Sequence, residues 1–125
     1  MAQGAHTPAG VSHRFAEAIN AGDVDGALAC WSPAAVIVAP DRSEVRGHKE
    51  LAERFRRLID LGAQVRISVC DEVCTELGAT ATTRMTLAFS VDQESTVVET
   101  TAFVAYVPGP SGLQILIDRL RADIA

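Results

Sequence analysis

Apolar residues recur at helical spacing along the first half of the chain and at every second position along the rest, and the switch falls near Gly62. Val11, Phe15, Ala18 and Ile19 occupy positions i, i+4, i+7 and i+8, one stripe of an amphipathic helix. The spacing predicts that helix over Pro8 to Ala21, with Thr7 as N-cap and Pro8 in the first turn, where its missing N–H breaks no bond. The run Asn20-Ala21-Gly22-Asp23 ends it and caps a short second helix, whose apolar face is Val24, Ala27, Leu28 and Trp31. Ser32-Pro33 is expected to turn the chain into a strand over Ala34 to Ala39, and Pro40-Asp41-Arg42-Ser43-Glu44 reads as a loop. A third helix opens after Gly47, carries Leu51, Phe55, Leu58 and Ile59 on one face, and ends at Gly62.

Beyond Gly62 the period drops to two. Long strands are predicted over Gln64 to Glu76, Thr80 to Val91, Thr96 to Val107 and Leu113 to Ala122. Asp92-Gln93 turns one hairpin and Pro108-Gly109-Pro110-Ser111-Gly112 the next. Helices first and an antiparallel meander afterwards define an α+β plan, with the helices on one face of a curved sheet. The 125 residues make one domain, and residues 1–7 read as a lead-in without structure.

Composition narrows the function classes. A net charge of −5 without any basic run argues against a nucleic-acid surface. Arg54, Arg56 and Arg57 share a helix with Glu50, Glu53 and Asp60, a balanced and solvated face. No apolar run approaches the roughly 20 residues of a membrane span, and MAQGAHTPAG lacks the basic start and apolar core of a signal segment. Cys30, Cys70 and Cys74 are odd in number, and Cys70 and Cys74 stand too far apart along one strand to bridge. A reduced, cytoplasmic protein is expected. No Gly-rich phosphate loop, nucleophile elbow or metal cluster is present, so no cofactor or metal is expected.

The segment Arg14 to Ala39 with its INAGDVDG core, the helix opened by Gly47, and the TVV run at Thr96 to Val98 resemble the nuclear transport factor 2-like (NTF2-like) superfamily. These are cone-shaped α+β domains that include ketosteroid isomerases, SnoaL-type polyketide cyclases and limonene epoxide hydrolases. The resemblance implies three helices packed on a curved, mainly antiparallel sheet, a small-molecule pocket and a homodimer. Without a gap, it places Phe15 where the isomerases carry a tyrosine, Ala39 at their base position, Ala102 at their second aspartate and Phe55 at a supporting tyrosine. None of these side chains can move a proton, so the isomerase mechanism is not retained. At the epoxide hydrolase positions stand Ile37 and Ala39 for a tyrosine and an asparagine, and Met85 and Leu87 for an arginine and an aspartate. Arg84 is expected on the opposite face, and a one-residue slip of register would bring it inward. The remaining aspartate position falls on Asp118.

Asp118 lies in the apolar stretch LQILIDRL. In the family register it faces the cavity together with Leu116, and a carboxylate there would have its pKa raised toward neutrality, as general acid or base chemistry requires. The other reading makes Asp118 a surface charge paired with Arg84, Arg119 or Arg121. Asp41 is a second catalytic candidate if its loop swings to the cavity mouth; otherwise it shapes a turn. His48 and Glu99 are expected to be exposed, and Arg54 either lines the pocket entrance or is solvated. Phe15, Trp31, Ala39, Phe55, Met85, Leu87, Phe89, Ala102 and Leu116 form the apolar set of a ligand pocket, or simply the core. Two function classes stay open. One is a cofactor-free isomerase, cyclase or hydrolase using Asp118 on a steroid-, terpene- or polyketide-sized substrate. The other is a silent binding or dimeric interaction domain.

Overall fold

A computed structural model describes residues 6–121. The chain runs α1 (Pro8–Asn20), α2 (Val24–Ala29), β1 (Trp31–Val38), β2 (Glu44–Arg46), α3 (Gly47–Asp60), β3 (Gln64–Thr75), β4 (Gly78–Val91), β5 (Glu94–Gly109) and β6 (Gly112–Leu120). Of the expected lead-in, residues 1–5 lie outside the described residues. Thr7 caps α1, its Oγ1 accepting from the Gly10 N–H at 3.1 Å. Asp23 caps α2 in the same way, through the Gly26 N–H at 2.9 Å.

Six strands form one sheet in the order β2-β1-β6-β5-β4-β3, and only the β1–β6 pair is parallel. The long hairpins β3–β4, β4–β5 and β5–β6 are antiparallel, as the alternating pattern predicts. Asp92 and Gln93 alone link Val91 to Glu94, and both have positive φ, 51° and 69°. That backbone twist suits a two-residue hairpin.

Two local expectations are corrected. Trp31 belongs to no helix: α2 stops at Ala29, and the Ile115 N–H donates to the Cys30 carbonyl at 2.8 Å, drawing the chain straight into β1. Ser32-Pro33 therefore lies inside a strand. The β1–β6 ladder shifts register between Trp31 and Val36, and Pro33 falls in that gap, where its missing N–H breaks no ladder bond. The loop after Ala39 is also tighter than expected, since Glu44–Arg46 returns to pair with Val36–Val38 as β2.

The helices cover one face of the sheet. Phe15 of α1, Trp31 of β1 and Phe55 of α3 meet as an aromatic trio, with ring centroids 5.0 to 5.6 Å apart and tilted or edge-on planes. All three are buried and join the three elements at one point. This is an α+β cone in which the inner sheet face closes on the helices.

Candidate functional site

Asp118 sits on β6, the strand held between β1 and β5, opposite Ile37 on one side and Val104 on the other. Both neighbours are buried and apolar. Its Oδ1 is fully removed from solvent and has no hydrogen-bond partner among the described residues. Burial pushes the carboxyl up to about 6, and the charge of Arg54 on α3 pulls weakly the other way. No ion pair to Arg84, Arg119 or Arg121 forms among the described residues. A carboxyl desolvated in this way is harder to ionise than one at the surface.

Beside it lies a cavity lined by Ser12 and Phe15 of α1, Trp31 of β1, and Ile67, Thr83, Met85, Thr100, Ala102, Val104, Tyr106, Ile115, Asp118 and Leu120 of the sheet. Its volume is about 30 Å³. That is about the volume that one water takes up in the liquid, so the space holds a small polar group or a water and little more. A steroid-sized guest does not fit it as it stands. Ile67, Met85, Thr100 and Leu120 are half-buried and form its rim, and Asp118 as a whole residue is half-buried with its Oδ1 inside.

Of the expected pocket residues, Phe15, Trp31, Met85 and Ala102 line this cavity with Asp118. Phe55 packs behind Phe15 and Trp31. Leu87 packs against the core without lining the cavity, and Phe89 stands half-buried near the far end of β4. Ala39 follows the end of β1 and opens on a surface cleft beside Arg42 and Arg119. Leu116 does not face inward with Asp118. The β5–β6 register slips between Ala105 and Tyr106, so Leu116 is the extra residue of a bulge and Ile115 takes the inward place.

Asp41 lies in an exposed turn. Its Oδ1 accepts from the Ser43 N–H at 2.9 Å and from the Ser43 hydroxyl at 2.6 Å, which hold its carboxyl below the usual range. Arg84 is on the outer sheet face, 3.8 Å from the exposed Glu99. Arg54 is exposed. His48 differs from expectation: it is half-buried, with Nε2 2.9 Å from the Trp31 carbonyl, fastening the start of α3 to the start of β1.

Sequence reasoning missed Tyr106 and Ser12. Their hydroxyls lie 3.1 Å apart in the buried interior. Burial, reinforced by the charges of Asp118 and Glu72, pushes the Tyr106 phenol up to about 12, so it stays neutral and remains a hydrogen-bonding group. A signal was present: Tyr106 is the only tyrosine and falls two and four residues beyond Val104 and Ala102 on the same strand face. A wider open groove of about 520 Å³ runs between α1, α2 and the β5–β6 turn. It holds Arg14, Glu17 and Cys30, but burial pushes that thiol up to about 11 and leaves it unreactive. Among the described residues no cluster of three or more His, Cys, Asp or Glu could hold a metal.

The helix-covered, coned sheet is the NTF2-like, cystatin-like fold. The chain belongs to the SnoaL-like domain family, whose profile matches residues 12–109. Solved structures agree on the fold. An NTF2-like protein with a cystatin-like fold from Novosphingobium aromaticivorans is 13% identical, with a TM-score of 0.75 over 90% of this chain and 77% of that one. A ketosteroid isomerase-like protein from Erwinia carotovora atroseptica is 14% identical, with a TM-score of 0.72 and 92% of each chain covered. A putative calcium/calmodulin-dependent protein kinase type II association domain from Thiobacillus denitrificans is 15% identical, with a TM-score of 0.71 over 93% of this chain and 94% of that one. No curated protein matches the chain.

Proposed function

We propose that this protein binds a small hydrophobic molecule against the inner sheet face and moves a proton on it with Asp118, in isomerase, cyclase or hydrolase chemistry that needs no cofactor. One observation carries the reading: a carboxyl oxygen with no hydrogen-bond partner among the described residues, fully buried in a cavity whose walls are mostly apolar. Phe15, Trp31, Met85 and Ala102 supply those walls; admitting a guest requires the half-buried Met85 and Leu120 side chains to swing aside. As base, the ionised Asp118 takes a proton from carbon or water; as acid, it returns one to oxygen. The test is deuterium exchange into the carbon beside the carbonyl of an apolar ketone such as 2-decalone, followed by NMR. The wild-type protein accelerates exchange, with a rate that rises through about pH 6, and Asp118→Asn abolishes the acceleration. Equal exchange by the two proteins overturns the assignment.

A second reading rests on the opposite sheet face. Val97, Phe103 and Ile117 stand 67%, 48% and 37% exposed on β5 and β6. A second copy of the chain covering that face makes a homodimer, and one structural neighbour is described as an association domain. In that reading the fold serves binding and assembly without turnover. The three cysteines are free, and Cys70 and Cys74 are exposed, which supports a reduced, cytoplasmic setting. No described helix is long and apolar enough to cross a membrane.

A further inference from the structure

Asp118 is not alone in lacking a partner. The indole Nε1 of Trp31 is also buried without a hydrogen bond among the described residues, and both side chains line the same small cavity. These are the two buried side-chain polar atoms of the described residues left in that state. Their chemistry is complementary. An indole N–H only donates, and an ionised carboxylate only accepts.

We infer that the cavity is a recognition site for a single O–H group, held between Trp31 Nε1 and Asp118 Oδ1. The group is a water in the free protein and the hydroxyl of an apolar alcohol in the complex. This deepens the proposed ligand site by naming the chemistry of its polar end, and it rests on that reading. A carbonyl oxygen could accept from Trp31 but would face the carboxylate with a second lone pair. An ammonium could donate to Asp118 but would leave the indole unmatched. A hydroxyl both accepts and donates, and so satisfies both atoms at once. Size points the same way, since the space of about 30 Å³ takes a hydroxyl and leaves the apolar body against Met85 and Leu120 at the rim. Tyr106 and Ser12 are already occupied with one another and do not compete for the group.

The chain contains one tryptophan, so the protein shows one indole resonance. Its ¹⁵N-labelled form is studied by NMR at pH 8, where Asp118 is ionised. The methyl of Met85 is labelled as an independent reporter of the cavity. Cyclohexanol, cyclohexanone and methylcyclohexane are the probes. The free protein should show a cross-peak between the indole proton and a long-lived water. Cyclohexanol should remove that cross-peak, shift the indole proton saturably, and bind at least tenfold tighter than the ketone or the hydrocarbon. Asp118→Leu should erase the preference; if the leucine variant does not fold, Asp118→Asn, which keeps one acceptor oxygen but no charge, should reduce it at least threefold. Ketone or hydrocarbon binding as tight as alcohol, with Met85 shifting, overturns hydroxyl recognition and leaves the ligand site standing. A water cross-peak that survives saturating cyclohexanol reduces the site to structural water and overturns the ligand half of the inference. If none of the probes moves the indole or the Met85 methyl, both the inference and the ligand reading fail.

Discussion

Asn20 grips the main chain of Val65 with both ends of its amide: Nδ2 donates to the Val65 carbonyl at 3.0 Å, and the Val65 N–H donates to Oδ1 at 2.7 Å. A neighbouring strand would make the same pair of bonds. Here the last residue of α1 makes them, and so fixes the helix to the start of the sheet's edge strand β3. This explains the asparagine in INAGDVDG, whose neighbouring Asp23 caps α2. Asn20→Ala should lower the unfolding free energy by about 2 kcal/mol, because two hydrogen bonds go and a strand N–H is left unpaired. Asn20→Asp, which keeps only the acceptor, should fall between. Urea unfolding at pH 7 reads both; an alanine variant as stable as wild type refutes the clamp.

Asp118 makes stability depend on pH. Its folded pKa of about 6 lies above the ordinary 3.8, so between these values the folded protein holds a proton that the unfolded chain releases. The folded state is therefore favoured below pH 3.8 and loses that advantage as pH rises through about 6. At about 1.4 kcal/mol per pH unit, the span from 3.8 to about 6 amounts to roughly 3 kcal/mol. Asp118→Asn should thus be more stable than wild type by about that much at pH 8 and lose its advantage at pH 3.5. A difference between the two proteins that is independent of pH contradicts a buried carboxylate.

Tyr106 and Ser12 should act as a unit. Either Tyr106→Phe or Ser12→Ala leaves one buried hydroxyl without its partner, at a cost of about 1–2 kcal/mol. The double variant should cost less than the sum, giving a coupling of at least about 0.5 kcal/mol in a double-mutant cycle. Additive losses would show that the 3.1 Å contact carries no energy.

Gln93 holds φ at 69°, where a side chain is strained and glycine is not. Gln93→Gly should stabilise the β4–β5 hairpin by about 0.5–1 kcal/mol, seen as a higher Tm. A lower Tm would mean that the Gln93 side chain contributes a contact that outweighs the strain.

If copies pair through the outer sheet face, Phe103→Lys should convert a dimer into a monomer while leaving the fold intact. Light scattering of both proteins at equal concentration decides it. A wild-type monomer refutes the pairing at once.

Much of this architecture is readable from spacing alone. The stripe Val11-Phe15-Ile19 and its counterpart Leu51-Phe55 declare helices that must bury one side, and the alternation after Gly62 declares strands. The turn at Asp92-Gln93 and the caps at Thr7 and Asp23 follow from local chemistry. The INAGDVDG run carries the superfamily likeness, and the family match bears it out. Asp118 stood out as an acid among aliphatics, but whether it pairs at the surface or is desolvated depends on residues distant in sequence, Ile37 and Val104 above all.

The local pattern of the chain determined that there are helices and strands, where they turn, and which faces must be buried, because periodicity and capping act over a few residues. Only the tertiary structure decided that Ile115 rather than Leu116 faces inward, that Trp31 opens a strand, and that Trp31 and Asp118, each with an unmatched polar atom, line one cavity. The reason is physical. A bulge, a parallel pairing and a cavity are settled by contacts between segments far apart in the chain, where a slip of one residue reverses every side chain beyond it.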